Sequence, residues 1–229
     1  MQVFSYIICL MSIRKVNLVS DEYYHIYNRG NSKQKNFHDN EDYFHFMAIL
    51  FACNSTSNFR AGILAKDESP YDFEREKRIV SIGAYCIMPN HFHILITQKE
   101  EGGISKFMQK VATAYVMYYN KKYNRTGGLF EGKFKSEHSS NDIYLRYLFS
   151  YIHLNPVKLI QKDWKENGIK NKKYALEYLE KYKYSSYLDY LGIKRIQNKI
   201  LNIEDFPEYF PGKKSFQKEI FEWLSYNND

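Results

Sequence analysis

"RIVSIGAYCIMPNHFHILITQ", Arg78–Gln98, consists of two apolar runs hinged on a Pro-Asn pair. β-Branched and aromatic residues dominate both runs, and Pro89-Asn90 has the composition of a tight turn. The stretch therefore reads as a hairpin, with strands over 79–87 and 91–98 joined at Met88-Pro89-Asn90. Side chains alternate faces along a strand, so His91 and His93 point one way while Phe92 and Ile94 point the other. Two imidazoles spaced about 6.5–7 Å along a strand can tilt inward onto one metal ion. Simple packing also accounts for such a pair, and a metal needs further ligands.

Upstream of the hairpin, "EYYHIYNRGN" (Glu22–Asn31) is rich in strand formers and ends in a turn signal. "DNEDYFHFMAILFACNS" follows, with Phe44, Met47, Leu50 and Phe51 at helical spacing and Asp39 or Asn40 as N-cap. Thr56–Lys77 is charged and non-periodic, which predicts a loop. Downstream, Ile104, Phe107, Met108, Val111, Tyr115, Tyr118 and Tyr119 form a helical stripe that stops near "NRTGG". "GLFEGKFKSEHSS" reads as a short extended segment. A helix then starts at Ser140 or Asn141 and runs through "DIYLRYLFSYIHLN" to Asn155, because Pro156 disfavours helical ψ in its predecessor. The remainder is helical and polar, interrupted around Gly192, and closes on the amphipathic "KSFQKEIFEWLSY". The order β-α-β-β-α-(β)-α predicts an α+β fold, an antiparallel sheet with helices on one face, followed by a helical C-terminal extension. The expected division is an N-terminal segment 1–21 with Met11 as an alternative start, a main domain 22–190, and an extension 191–229 with no assigned role.

The bulk properties suit a packed, basic chain of 229 residues with a formal charge of +7. Three cysteines (Cys9, Cys53, Cys86) form no CxxC pair, which argues against a disulfide framework and for a reducing compartment. The apolar start lacks a signal-peptide pattern, and no stretch is long enough to span a membrane, so a cytoplasmic, nucleoid-associated location is expected. The excess charge is concentrated. Between Lys106 and Lys135 stand Lys106, Lys110, Lys121, Lys122, Arg125, Lys133 and Lys135 against the single acid Glu131. A polyanion, with contacts to its phosphate backbone, is the partner this run suggests; a solvated helix face is the plainer alternative. With 22 Tyr and 16 Phe, rings for stacking on bases are plentiful, although most such rings fill cores.

The signal that decides between packing and chemistry at the histidines lies in "YLFSYIHLNPVK". Tyr151 and Asn155 are four residues apart, hence on one helical face. The amide oxygen of Asn155 offers a hard ligand, and Tyr151 a phenol beside it. The zincin motif and cysteine clusters of zinc-finger spacing are absent. His153, two residues from Tyr151, points away from it. Together the pieces describe a metal-polarised phosphate attacked by a tyrosine.

The same residues carry a resemblance. "PNHFHILI" resembles the His-hydrophobe-His motif of single-tyrosine (HUH, IS200-like) transposases, and "YIHLNPVK" resembles the helix that bears their nucleophile. "YYHIYNRGNSKQKNF", "GLFEGKFKSE" and "YKYSSY" resemble the REP-associated tyrosine transposases of that superfamily, so that the likeness spans Tyr23–Tyr187. It implies a ferredoxin-like sheet. It also implies a divalent ion, Mg²⁺ or Mn²⁺, on His91, His93 and Asn155, with Asn155 where the family often has Gln. Tyr151 would attack the scissile phosphate of single-stranded or hairpin DNA, leaving a 5′-phosphotyrosine and a free 3′-hydroxyl. Arg29, in "YNRG", would contact DNA near the site. The likeness leaves both monomer and homodimer open, and has no membrane partner. The rivals are a non-catalytic nucleic-acid-binding module of the same fold and a hydrolytic metallo-nuclease in which Tyr151 only packs.

Overall fold

The computed structural model describes residues 17–57, 69–72 and 74–222; the alternative start at Met11, Cys9 and the end of the C-terminal amphipathic piece lie outside them. Its first strand, β1 (Tyr23–Arg29), leads to helix α1 (Asn40–Ala52), whose N-cap Asp39 accepts from the Asp42 amide. The hairpin follows as β2 (Val80–Met88) and β3 (His91–Gln98), with Pro89-Asn90 as its turn. Helix α2 (Gly103–Lys122), strand β4 (Lys135–His138) and helix α3 (Asp142–Leu154) come next, α3 being capped by the Asn141 side chain on the Tyr144 amide. Shorter helices complete the chain: α4 (Trp164–Asn167), α5 (Lys172–Lys181), α6 (Tyr187–Tyr190) and α7 (Lys213–Glu222).

The four strands form one antiparallel sheet in the order β2-β3-β1-β4. With α1 between β1 and β2, and α2 between β3 and β4, this is the ferredoxin-like arrangement. Both helices pack on the sheet face that carries Tyr24, Ile26, Phe92, Ile94 and Ile96. The stripe expected on α2 is buried apart from the half-buried Tyr118, whereas on α1 Phe44 is 37% exposed and Tyr43 and Phe46 turn inward instead.

Helices on one face is the part of the expectation that needs correction. α3 packs on the opposite face, where Leu145, Leu148, Phe149 and Ile152 meet Ala84, Cys86, Met88 and Leu95. The sheet is thus covered twice, and every residue of β2 is buried. The strand carries a bulge between Ile82 and Ala84. One extra residue, Gly83, shifts the alternation, so Ile82 shares the α1/α2 face with Tyr85 and Ile87. A Cβ on Gly83 would stand 2.8 Å from the Phe206 ring, so the bulge is also where the C-terminal segment presses on the sheet.

That segment is integrated with the rest. The amide of Asn202 donates to the Ile82 carbonyl, and Phe216, Ile220 and Phe221 of α7 are buried in a core with Leu154, Val157 and Trp164. Tyr184–Ser186 pairs with the outer edge of β2 through Ile87 N to Tyr184 O and Ser186 N to Tyr85 O, each 2.9 Å. Ser186 precedes α6, but its hydroxyl serves β2 and not the helix: it accepts from the Tyr85 amide at 2.9 Å. Among the described residues no helix is long and apolar enough to cross a membrane.

Candidate active site

Strand register gathers the site. β1 pairs with β3 so that Tyr27 lies opposite His93 and Arg29 opposite His91. β4 pairs with β1 so that Glu137 lies opposite His25 and Lys135 opposite Tyr27. Paired residues share a face, so His25, Tyr27, Arg29, His91, His93, Lys135 and Glu137 all stand on the α3 side of the sheet. His91 and His93 are on one face as expected, with ring centroids 5.0 Å apart and planes nearly perpendicular.

α3 brings the tyrosine from above. Tyr151 lies edge-on to His93, with ring centroids 5.5 Å apart, and edge-on to His25 at 5.8 Å, all within one chain. Tyr147 stacks against its other side at 5.8 Å, and the Lys165 ammonium lies 4.8 Å from its ring. His25, Tyr27, His93, Glu137, Tyr144, Tyr147, Tyr151 and Lys165 line a cavity of about 410 Å³. His153 is fully buried on the far side of α3, bonded to the Ser186 hydroxyl at 2.7 Å.

Asn155 follows the last residue of α3 and opens a 3-10 turn, Asn155–Leu159. Despite Pro156 it keeps helical angles (φ −50°, ψ −39°), so the chain continues past the expected stop. Its side-chain NH₂ donates to the Tyr151 carbonyl at 2.8 Å, which fixes the amide one helical turn from the phenol and leaves its oxygen as an acceptor.

The electrostatics favour neutral imidazoles. Burial lowers the His91 pKa to about 4, helped by the like charges of Lys158 and Arg29. His93 is pushed well below its ordinary value by burial, then by its neighbours His25 and His91. A neutral ring is the form that coordinates a metal. His93 Nδ1 is engaged with His25 Nε2 at 2.8 Å, while His93 Nε2 is buried with no hydrogen-bond partner. A buried, unpaired ring nitrogen beside a second imidazole fits a divalent cation. Among the described residues no three His, Cys, Asp or Glu side chains form a metal cluster, so a cation on the two histidines would need a donor of another kind. Tyr151 is not activated in this state: burial raises its pKa, while the hydrogen-bonding Asn155 amide pulls the other way.

The sequence did not indicate His25 or Glu137. His25 is one of five histidines that sequence leaves scattered, and only the β1–β3 register brings it to His93. Glu137 holds hydroxyl donors from Tyr27 (2.8 Å) and Tyr144 (3.2 Å), and its pKa is lowered to about 2 by the facing His25, then by Tyr27.

The basic residues divide. Arg29 reaches the site and is bonded to Glu131 at 2.8 Å. With Lys33, Lys35, Lys135, Lys158, Lys162 and His91 it lines a cleft of about 770 Å³ beside the first cavity. Lys133 lines a separate, mostly apolar pocket with Phe92, Phe130 and Phe134. The α2 lysines sit on the opposite face of the sheet. Lys122 is held by Asp39, Glu41 and the fully buried Asp42, Lys110 donates to the Ser55 and Ser57 carbonyls, and Lys106 pairs with Glu100. Arg125 lies 5.5 Å from the Tyr119 ring, and Lys121 stands in the last turn of the same helix. The structure therefore does not bring Lys106, Lys110, Lys121, Lys122 or Arg125 to the histidines, and supplies Lys33, Lys35, Lys158 and Lys162 instead.

Residues 71–155, which include both histidines, Tyr151 and Asn155, match the model of a family described as "Transposase IS200 like". The fold is similar to that of a solved structure described as "Structure of the REP associates tyrosine transposase bound to a REP hairpin". That match has 12% sequence identity and a TM-score of 0.50, and covers 82% of this chain and 90% of the other. No curated protein matches the sequence.

Proposed function

We propose that this chain, with its IS200-like transposase region over residues 71–155, cuts and rejoins single-stranded DNA through a covalent bond to Tyr151. One observation carries the reading: the tyrosine of α3 stands edge-on to His93, 5.5 Å away, on the face where the register also puts His91. A tyrosine that only packed would need no pair of neutral imidazoles with an unpaired nitrogen beneath it.

In this mechanism the DNA backbone enters along the cleft of Arg29, Lys33, Lys35, Lys135, Lys158 and Lys162, whose charges hold phosphates on either side of the scissile one. The Tyr151 oxygen attacks phosphorus, the bond from phosphorus to the 3′ oxygen breaks, and the phenolic proton is balanced by the proton taken up at the released 3′-hydroxyl. The product is a 5′-phosphotyrosine. It conserves the energy of one phosphodiester, so a new 3′-hydroxyl can reverse the step without ATP. His91, His93 and Asn155 would hold Mg²⁺ or Mn²⁺, which supplies Lewis acidity at the phosphate and lowers the cost of ionising the phenol. Asn155 has a second duty, since its amide favours the phenolate. Lys165, beside the ring, adds a positive charge on the same side.

The test uses the full chain, hairpin-bearing single-stranded DNA and Mn²⁺, followed by denaturing electrophoresis. A protein–DNA adduct that disappears in Tyr151→Phe supports the reading. Cleavage that survives Tyr151→Phe points to hydrolysis and overturns it.

A further inference from the structure

Below the proposed metal pair lies a chain of polar groups, the buried His25 and His93 imidazoles and the exposed Glu137 carboxylate, with no part in the attack itself. His25 stacks on His93 with planes 23° apart, and their facing nitrogens, His25 Nε2 and His93 Nδ1, are 2.8 Å apart. One proton lies between those two nitrogens, so one ring donates and the other accepts. Which ring donates decides what His93 Nε2 presents to the site. If His93 donates, Nε2 carries a lone pair; if His25 donates, Nε2 carries a hydrogen.

Glu137 selects between these. Its Oε2 lies 3.6 Å from His25 Nδ1, which is buried and has no other partner. A lone pair on Nδ1 aimed at a carboxylate is repelled, whereas an N–H is attracted. The carboxylate is itself fixed, since Tyr27 donates to Oε1 and Tyr144 to Oε2. In a His25 that carries one proton, placed on Nδ1, Nε2 accepts, so His93 donates from Nδ1 and its Nε2 is bare.

We propose that Glu137 and His25 form a relay that fixes the tautomer of His93, so that its Nε2 lone pair faces the site and accepts a divalent cation. Both are assigned as positioning residues, acting on the cation site through His93. Carboxylate–histidine chains behind metal-bound imidazoles act in this way, and disrupting one typically costs about 10–100-fold in metal affinity. The cation half of the inference rests on the function proposed above; the tautomer half does not.

The two halves are measured separately on the full chain without DNA. Histidine ¹⁵N–¹H long-range correlation spectra report the tautomer, with His93 assigned from the signal lost in His93→Gln. Mn²⁺ titration followed by electron paramagnetic resonance reports affinity. The expected wild-type result is His93 protonated on Nδ1. Glu137→Gln removes the charge that sets the polarity, so the Nε2-protonated form appears and Mn²⁺ binds about tenfold or more weakly. Tyr144→Phe leaves the carboxylate in place and keeps the wild-type tautomer, which separates the relay from general loosening of the face. A wild-type His93 protonated on Nε2, or a tautomer and an affinity unchanged in Glu137→Gln, overturns the relay. The expected tautomer in a wild-type chain that takes up no Mn²⁺ upholds the relay and overturns the metal reading.

Discussion

At the scale of single residues, burial favours the neutral forms of the two histidines and of Tyr151. His91 titrates near 4 and His93 well below its ordinary value, both chiefly through burial. The unfolded chain therefore binds more protons than the folded one below about pH 6.5, and stability is lost as pH falls from there towards 4. Urea midpoints should drop across that window, and less steeply in His91→Gln, which has one fewer such group. Parallel curves for the two proteins would show that His91 is not held neutral by the fold. The pair His91 and His93 and the pair Tyr151 and Asn155 were legible in sequence, because a strand's period of two and a helix's spacing of four are local rules. His25 was not legible. Its partner is 68 residues away and only the register of a non-adjacent strand pairs them.

At the scale of elements, the placement of α3 decides whether those local pairs ever meet. The hairpin followed from alternation and turn chemistry, and the ferredoxin-like sheet from the family resemblance. The face taken by α3 did not, since a helix with one apolar stripe fits either side of a sheet. The available signal was in "IVSIGAYCIM", whose near-continuous apolar run, with Ser81 as its one polar aliphatic residue, is the mark of a strand covered on both faces. Gly83 is where this coverage is most sensitive. Gly83→Ala forces the Phe206 ring to move from a contact of 2.8 Å, and overpacking of this kind costs about 1–3 kcal/mol. Urea denaturation should show a loss in that range, and an unchanged midpoint would mean that the C-terminal segment does not press on the bulge.

At the scale of the whole molecule, charge that is contiguous in sequence is split between the two faces of the sheet. The α2 lysines serve the fold: Lys122 neutralises the fully buried Asp42. Lys122→Ala should therefore lower stability by about 3 kcal/mol, the low end for a broken buried pair because Tyr118, Tyr123 and the His38 amide still bond Asp42. It should leave the salt dependence of DNA binding unchanged. Lys158→Ala, in the cleft beside His91, should instead reduce the slope of log K against log salt by about 1 with little effect on stability. The reverse pattern would put the nucleic acid on the α2 face. Sequence patterning could not make this division, because it counts charges along the chain and not the acids that meet them across it. The central claim, that the sheet, α3 and the basic cleft combine to make a covalent strand transferase, is tested most directly by mapping the linkage. Protein reacted with hairpin-bearing single-stranded DNA and Mn²⁺ is digested with nuclease and trypsin, and the phosphonucleotide-bearing peptide is sequenced by mass spectrometry. The account predicts one modified residue, Tyr151; a nucleotide on Tyr27, Tyr144 or Tyr147, or cleaved DNA with no modified peptide, would contradict it.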